Sequence, residues 1–212
     1  MSLQLDHLVI GAASLVEGEA WCEATLGVKP SSGGKHVLMS THNRLLQLSS
    51  EAFPRCYLEI IAIDPEAPPP GRARWFDLDE SAMRARLAHG PGLIHWVARS
   101  NSLEASLADW QAHGLDAGPA VAASRMTPAG ELRWRIALRA DGRRLLNGAL
   151  PLLIEWGEVH PSDSLPSSGV SLLEFSPTLP QPDLLAGLAA KTGDPNVQMR
   201  LQTPRGEVSL KL

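Results

Sequence analysis

A strand–helix–three-strand pattern occurs twice in this chain, and that duplication limits the available folds more than any other feature. In the first copy, residues 3–10 read as a strand closed by Gly11. Residues 14–26 read as a helix, with Ser14 and Glu17 in a capping-box pattern and Gly27 at the left-handed C-terminal position. The spacing predicts a loop over 30–34, a hairpin of strands 36–40 and 44–48, and an apolar strand over 56–63. The second copy begins with a strand over 92–98. A helix follows, capped by Asn101 or Ser102 and ending at His113-Gly114, with Leu103, Leu107 and Trp110 on one face. Strands are expected near 118–125, 131–139 and 150–157. His7 precedes Trp21 by 14 residues and His95 precedes Trp110 by 15, so the two copies keep nearly one spacing.

The chain divides accordingly into a first module (1–64), a proline-rich connector with a short helix over 79–89 (65–91), a second module (92–160) and a tail (161–212). In the tail, a strand over 169–175, a helix over 181–190 and a hairpin turning at Arg205-Gly206 begin the pattern a third time. No histidine occupies the equivalent place, so the tail is read as structural. The fold class expected is α+β: paired βαβββ modules with a C-terminal partial third module.

Four ionisable residues sit inside apolar strands: His7, Glu59, His95 and Glu155. Side chains alternate faces along a strand, so each Glu lies on a well-covered surface. An unpaired buried carboxylate costs several kcal/mol, and each Glu therefore requires a cation, a donor or a raised pKa. A divalent metal answers all four needs at once. Two imidazoles and two carboxylates suit Zn, Ni, Co, Fe or Mn. The competing readings are a core histidine bonded to backbone, and pairing of the glutamates with arginines such as Arg44 or Arg133.

His7 within Leu5-Asp6-His7-Leu8-Val9, Gly34-Lys35-His36 followed by Ser40-Thr41-His42-Asn43-Arg44-Leu45, Tyr57-Leu58-Glu59-Ile60-Ile61-Ala62 and Leu150-Pro151-Leu152-Leu153-Ile154-Glu155-Trp156 together resemble the vicinal oxygen chelate superfamily, and within it the glyoxalase-like domain proteins. The resemblance covers roughly residues 3–157. It implies that the two modules form a cupped mixed sheet around a divalent metal. His7, Glu59, His95 and Glu155 would be the ligands, and Glu155 or Glu59 the proton-moving residue. It further implies an enzyme of lyase or isomerase type acting on a small oxygen-bearing substrate, with a dioxygenase less favoured. A metal-free module of the same fold that binds or sequesters a small molecule is the alternative. A dimer partner without activity is a third reading, and a homodimer is its simplest form.

His36, Asn43 and Trp134 are the candidate substrate-binding residues. Asn43 competes with a turn role, because Asn tolerates the left-handed region. Trp96 and Trp156 neighbour the candidate ligands and are expected to pack on the opposite face. Glu158 and His160 are expected to face solvent.

Composition removes other classes. Nineteen Lys and Arg against 23 Asp and Glu give a net charge of −4, unsuited to a nucleic-acid binder. No run approaches the roughly 18 apolar residues of a membrane span. Met1 to Asp6 carries no basic stretch ahead of an apolar run. Two distant cysteines, Cys22 and Cys56, are expected to be buried and reduced, which fits a cytoplasmic protein.

Overall fold

The computed structural model describes residues 2–127 and 130–212. The first module consists of β1 (Leu3–Gly11), α1 (Leu15–Leu26), β2 (Ser31–His36), β3 (Thr41–Gln47) and β4 (Tyr57–Ile63). After the connector and α2 (Ser81–Ala88), the second module repeats the order with β5 (Gly92–Ser100), α3 (Leu103–Ala112), β6 (Ala120–Thr127), β7 (Gly130–Ala137) and β8 (Leu152–Trp156). The tail adds β9 (Ser171–Leu179), the short β10 (Lys191–Thr192), β11 (Asn196–Thr203) and β12 (Gly206–Lys211).

The eight strands of the two modules form one mixed sheet in the order β2-β3-β4-β1-β5-β8-β7-β6. β1 pairs parallel with β4 and antiparallel with β5, so the two modules join along their first strands. The edges are β2 and β6, yet a Cβ added to Gly34 on β2 would collide with the Arg125 guanidinium from β6. The sheet is therefore curled until its two edges meet across a cup.

Apolar side chains divide between two layers. Leu8, Ile10, Leu58, Ile60, Trp96 and Leu153 face outward and pack with α1, α3 and the tail. Val9, Ile61, Ile94, Val97, Ile136 and Ile154 face into the cup, joined by Trp75 and Phe76 from the connector. The tail forms its own four-stranded sheet, β10-β9-β11-β12, and Phe175 meets Trp96 edge-on at 4.8 Å. It covers the outer layer, burying Leu172, Leu179, Val197 and Leu201.

α1 begins as expected, with Ser14 Oγ accepting from the Glu17 N–H and Gly27 closing it at φ 76°. Two expectations need correction. The helix over 181–190 is reduced to a single 3-10 turn at Pro182–Leu185. Pro182 opens that turn and Gly187, at φ 100°, lies beyond it. The first hairpin lies upstream of its expected position: residues 33–34 belong to β2, and the turn is 37–40, with Ser40 at φ 49°. Val37 and Leu38 are exposed in that turn, which an apolar pattern alone assigns to a strand. Cys22 and Cys56 are free and buried, and burial pushes the Cys22 thiol up to about 12.

Candidate functional site

The register of the central strands decides which side chains share the cup. Glu59 on β4 lies opposite Val9 on β1, and Val9 lies opposite His95 on β5. His7, two residues from Val9, faces the same way. The β1–β5 register slips by one between Leu5 and His7, so Asp6 is an extra residue in β1. A bulge of this kind re-aims side chains. Here it lets neighbouring residues bond to each other, with His7 Nδ1 2.6 Å from Asp6 Oδ1.

Asp6 is fully buried and is the acceptor at the centre of a network. His7 Nδ1, His160 Nε2 at 3.0 Å and the Trp156 indole N–H at 3.0 Å converge on its two oxygens. Burial pushes its pKa up, but the hydrogen bonds from His160 and His7 outweigh this. The carboxyl is held well below the ordinary range. The network assigns the tautomers. His160 donates through Nε2 and accepts the Ser162 N–H at Nδ1. His7 donates through Nδ1, which turns Nε2 toward the cleft. His160, expected at the surface, is thus 1% exposed.

His7 Nε2 stands 3.7 Å from Glu59 Oε2, beyond direct hydrogen-bond reach. Glu59 is 5% exposed, and the Asn43 amide donates to its other oxygen at 2.6 Å. Asn43 is oriented in turn by the Gly34 N–H, which donates to its Oδ1 at 2.7 Å. His36 Nε2 lies 3.3 Å from the Asn43 amide nitrogen, and its Nδ1 lies 3.0 Å from Thr41 Oγ1. Burial lowers the His36 pKa to about 4, the Glu59 charge opposing and the Arg125 charge assisting, so the ring is neutral. Tyr57 stacks on the His7 ring at 4.5 Å.

These residues line one cleft with Trp75, Phe76, Arg125, Trp134 and Trp156. Its free space is about 40 Å³, room for a few waters. Trp134 and Trp156 are 5.7 Å apart in cross-strand register, and the open depression of about 610 Å³ beside them is lined mainly by Glu131, Arg133, Arg135 and Glu155 on the outward face of the sheet.

Of the expected metal ligands, only His7 and Glu59 face each other. His95 lines an adjoining cavity of about 30 Å³, and Phe76, 5.2 Å from the His95 ring, lines both spaces. Burial, and then the Arg144 charge, hold the His95 pKa well below its ordinary value, against a backbone hydrogen bond at Gly148. Glu155 faces outward with Leu153. Its Oε2 accepts the Leu103 N–H at 2.7 Å, at the first turn of α3, and Arg135 approaches its Oε1 at 3.5 Å. The expected outward role of Trp156 and inward role of Glu155 are therefore exchanged. Adjacent residues face opposite ways, and β8 offers its cup face at Ile154 and Trp156. Arg44 and Arg133, the suggested partners of the glutamates, pair instead with Glu19 and Glu131.

The set His7, Glu59, His95 and Glu155 does not fit a shared divalent ion, because the Glu155 carboxylate is on the other side of the sheet. Among the described residues, no group of three or more His, Cys, Asp or Glu side chains is disposed to hold a metal. Within the cleft, His7 Nε2 lies 3.7 Å from Glu59 Oε2 and His36 Nε2 lies 3.7 Å from Glu59 Oε1.

Sequence patterns alone do not single out Asp6, His160, Trp75 or Arg125. One signal is present for Arg125: two consecutive glycines inside a strand mark a close approach of another chain segment. A Cβ at Gly33 would strike Asn43, and one at Gly34 would strike Arg125.

Two βαβββ modules joined edge to edge in one curled sheet, with a polar cleft in the concave face, define the architecture of the vicinal oxygen chelate superfamily. Residues 5–193 match the model of the glyoxalase-like domain, and the chain belongs to that family. No curated protein matches it. Among solved structures, a hypothetical protein from Staphylococcus aureus is similar at 13% identity with a TM-score of 0.61, covering 99% of this chain and 85% of that one. Methylmalonyl-CoA epimerase from Mycobacterium tuberculosis is similar at 18% identity with a TM-score of 0.40, covering 72% and 86%. A single-residue variant of Streptomyces coelicolor methylmalonyl-CoA epimerase, in complex with 2-nitronate-propionyl-CoA, is similar at 18% identity with a TM-score of 0.44, covering 75% and 99%.

Proposed function

We propose that the cleft is a proton-transfer site of isomerase or lyase type, acting on a small oxygen-bearing substrate. The observation that carries this reading is the line Asp6–His7–Glu59. An imidazole nitrogen and a carboxylate face each other across 3.7 Å in the cleft. A substrate atom or a water completes that gap.

In this reading Glu59 removes a proton from carbon next to a substrate carbonyl. The C–H electron pair forms the new C=C bond while the carbonyl π pair moves onto oxygen, giving an enolate. His7 Nε2 is the second place where the proton can be held, with Asp6 balancing the charge at Nδ1. Return of a proton to the opposite face of that carbon, or to a neighbouring carbon, gives an isomerase; expulsion of a neighbouring group with its bonding pair gives a lyase. Asn43 holds the carboxylate of Glu59, and Trp134 and Trp156 flank the remainder of the substrate. No step is routed through a metal, since the expected donor set is split between the two faces of the sheet.

The test is solvent deuterium uptake into small carbonyl compounds, followed by proton NMR in heavy water. Uptake with the wild type that is lost at least a hundredfold in Glu59→Gln supports the reading, within the usual range for a general base. The second reading, a metal-free binding module, is favoured by the aromatic walls of the cleft. Ligand-induced stabilisation without any deuterium uptake across the series decides for it.

A further inference from the structure

Arg125 is a cation in the cleft that the proton-transfer reading leaves without a task. It reaches from edge strand β6 to edge strand β2, lines the cleft beside His7, His36 and Glu59, and packs against Gly34. No hydrogen bond or ion pair engages it among the described residues, and its Nη1 is buried without a partner. Arginines bordering other cavities are engaged: Arg139 pairs with Asp141, Arg144 with Asp77 and Arg200 with Glu174. The one carboxylate lining the cleft, Glu59, is already held by Asn43. The Trp75 indole Nε1, on another residue lining the cleft, is also buried without a partner.

A buried donor with no acceptor costs about 1–3 kcal/mol, and more if charged. Two such donors around a small polar cleft describe a place for an acceptor that arrives with the ligand. Guanidinium geometry matches a carboxylate or a phosphate. Glu59 in the same cleft repels a phosphate, with its higher charge, more than a carboxylate.

We infer that the substrate is a carboxylate and that Arg125 is its specificity-determining anchor, with the Trp75 N–H as a second donor. This names the substrate class of the site proposed above and rests on that reading.

The test is tryptophan-fluorescence titration of the full chain with pyruvate, lactate and malonate, each beside its amide, and with inorganic phosphate. Wild type, Arg125→Ala, Arg125→Lys and Gly34→Ala are compared. The expected result is a carboxylate bound at least tenfold more tightly than its amide. The preference is lost in Arg125→Ala, partly kept in Arg125→Lys, and weakened in Gly34→Ala, where the new methyl displaces the guanidinium without removing its charge. Equal binding of acid and amide, no carboxylate binding to wild type, tighter binding of phosphate than of any carboxylate, or an unchanged preference in the variants each overturns the inference. Should Arg125→Ala fail to fold, the Arg125→Lys and Gly34→Ala variants decide the question on the same criteria. Deuterium uptake measured on the same compounds separates the two ideas. Carboxylate binding without uptake sinks the proton-transfer reading and leaves Arg125 standing. Uptake by neutral carbonyl compounds with no carboxylate preference does the reverse.

Discussion

The Nε2 of His160 lies 3.0 Å from Oδ2 of Asp6, although 154 residues of chain separate them. This bond ties the segment after the last strand of the second module to the first strand of the first. It also joins the carboxylate that orients His7 to a residue outside both cup-facing strands. The cleft is thus held from two ends of the double-module unit.

Asp6→Asn should be among the most destabilising single changes in the protein. Removing the charge leaves buried donors from His7, His160 and Trp156 around a weaker acceptor, and breaking a buried pair costs about 3–5 kcal/mol. The folded-state pKa of Asp6 lies below its unfolded value of about 3.9. Its stabilisation is therefore full above that value and is lost as pH falls below it. Urea unfolding from pH 7 down to pH 3 checks both points: the variant should be weaker throughout and should lose less on acidification below pH 4.

His36 should make stability depend on pH in a higher window. Its folded pKa is about 4 against an unfolded value near 6.5, so the unfolded chain binds more protons between the two. Stability is then greatest above about pH 6.5 and falls as pH drops toward 4. His95, also lowered, adds to the same slope. His36→Asn should flatten the curve between pH 4.5 and 6.5, as measured by urea midpoints. An unchanged slope would mean that the ring is charged in the folded state.

Glu155→Ala should cost about 1 kcal/mol through loss of an acceptor at the start of α3. Ligand binding in the cleft should stay as in the wild type. Elemental analysis of protein prepared without chelator belongs in the same experiment. Loss of a stoichiometric transition metal in Glu155→Ala would contradict the outward placement of this side chain.

Gly33→Ala should destabilise more than Gly34→Ala. At Gly33 the new Cβ meets the backbone carbonyl of Asn43 as well as its side chain, and that backbone cannot swing away. At Gly34 it meets the guanidinium of Arg125, the end of a flexible side chain. Overpacking that cannot relax costs about 1–3 kcal/mol. Thermal melts of the two variants should therefore rank with Gly33→Ala lower.

The repeat is legible in the sequence because each module carries its own local signals. Ser14 and Gly27 bound α1, and apolar strands of fitting length stand on either side. His7 and Glu59 are legible as buried ionisable residues on covered strands. Register then brings them together, through the pairing of Val9 with Glu59 on β4 and with His95 on β5. The hairpin is harder to place, because Gly33 and Gly34 resemble a loop until Asn43 and Arg125 are seen filling the space that their missing side chains leave.

The sequence by itself determined the double βαβββ plan, the caps of α1 and the presence of polar residues within apolar strands. These follow from periodicity and from the cost of burying charge, which act over a few residues. Only the tertiary structure decided which face of each strand is the cup. Alternation states that Glu155 and Trp156 point opposite ways, but it leaves open which of them points in. That choice is set by the layers packed on either side: α3 outside, where Leu103 offers Glu155 an N–H, and the Asp6 carboxylate inside, where the Trp156 indole finds its acceptor. Arg125 meets the cleft only because the curled sheet brings its two most distant strands together.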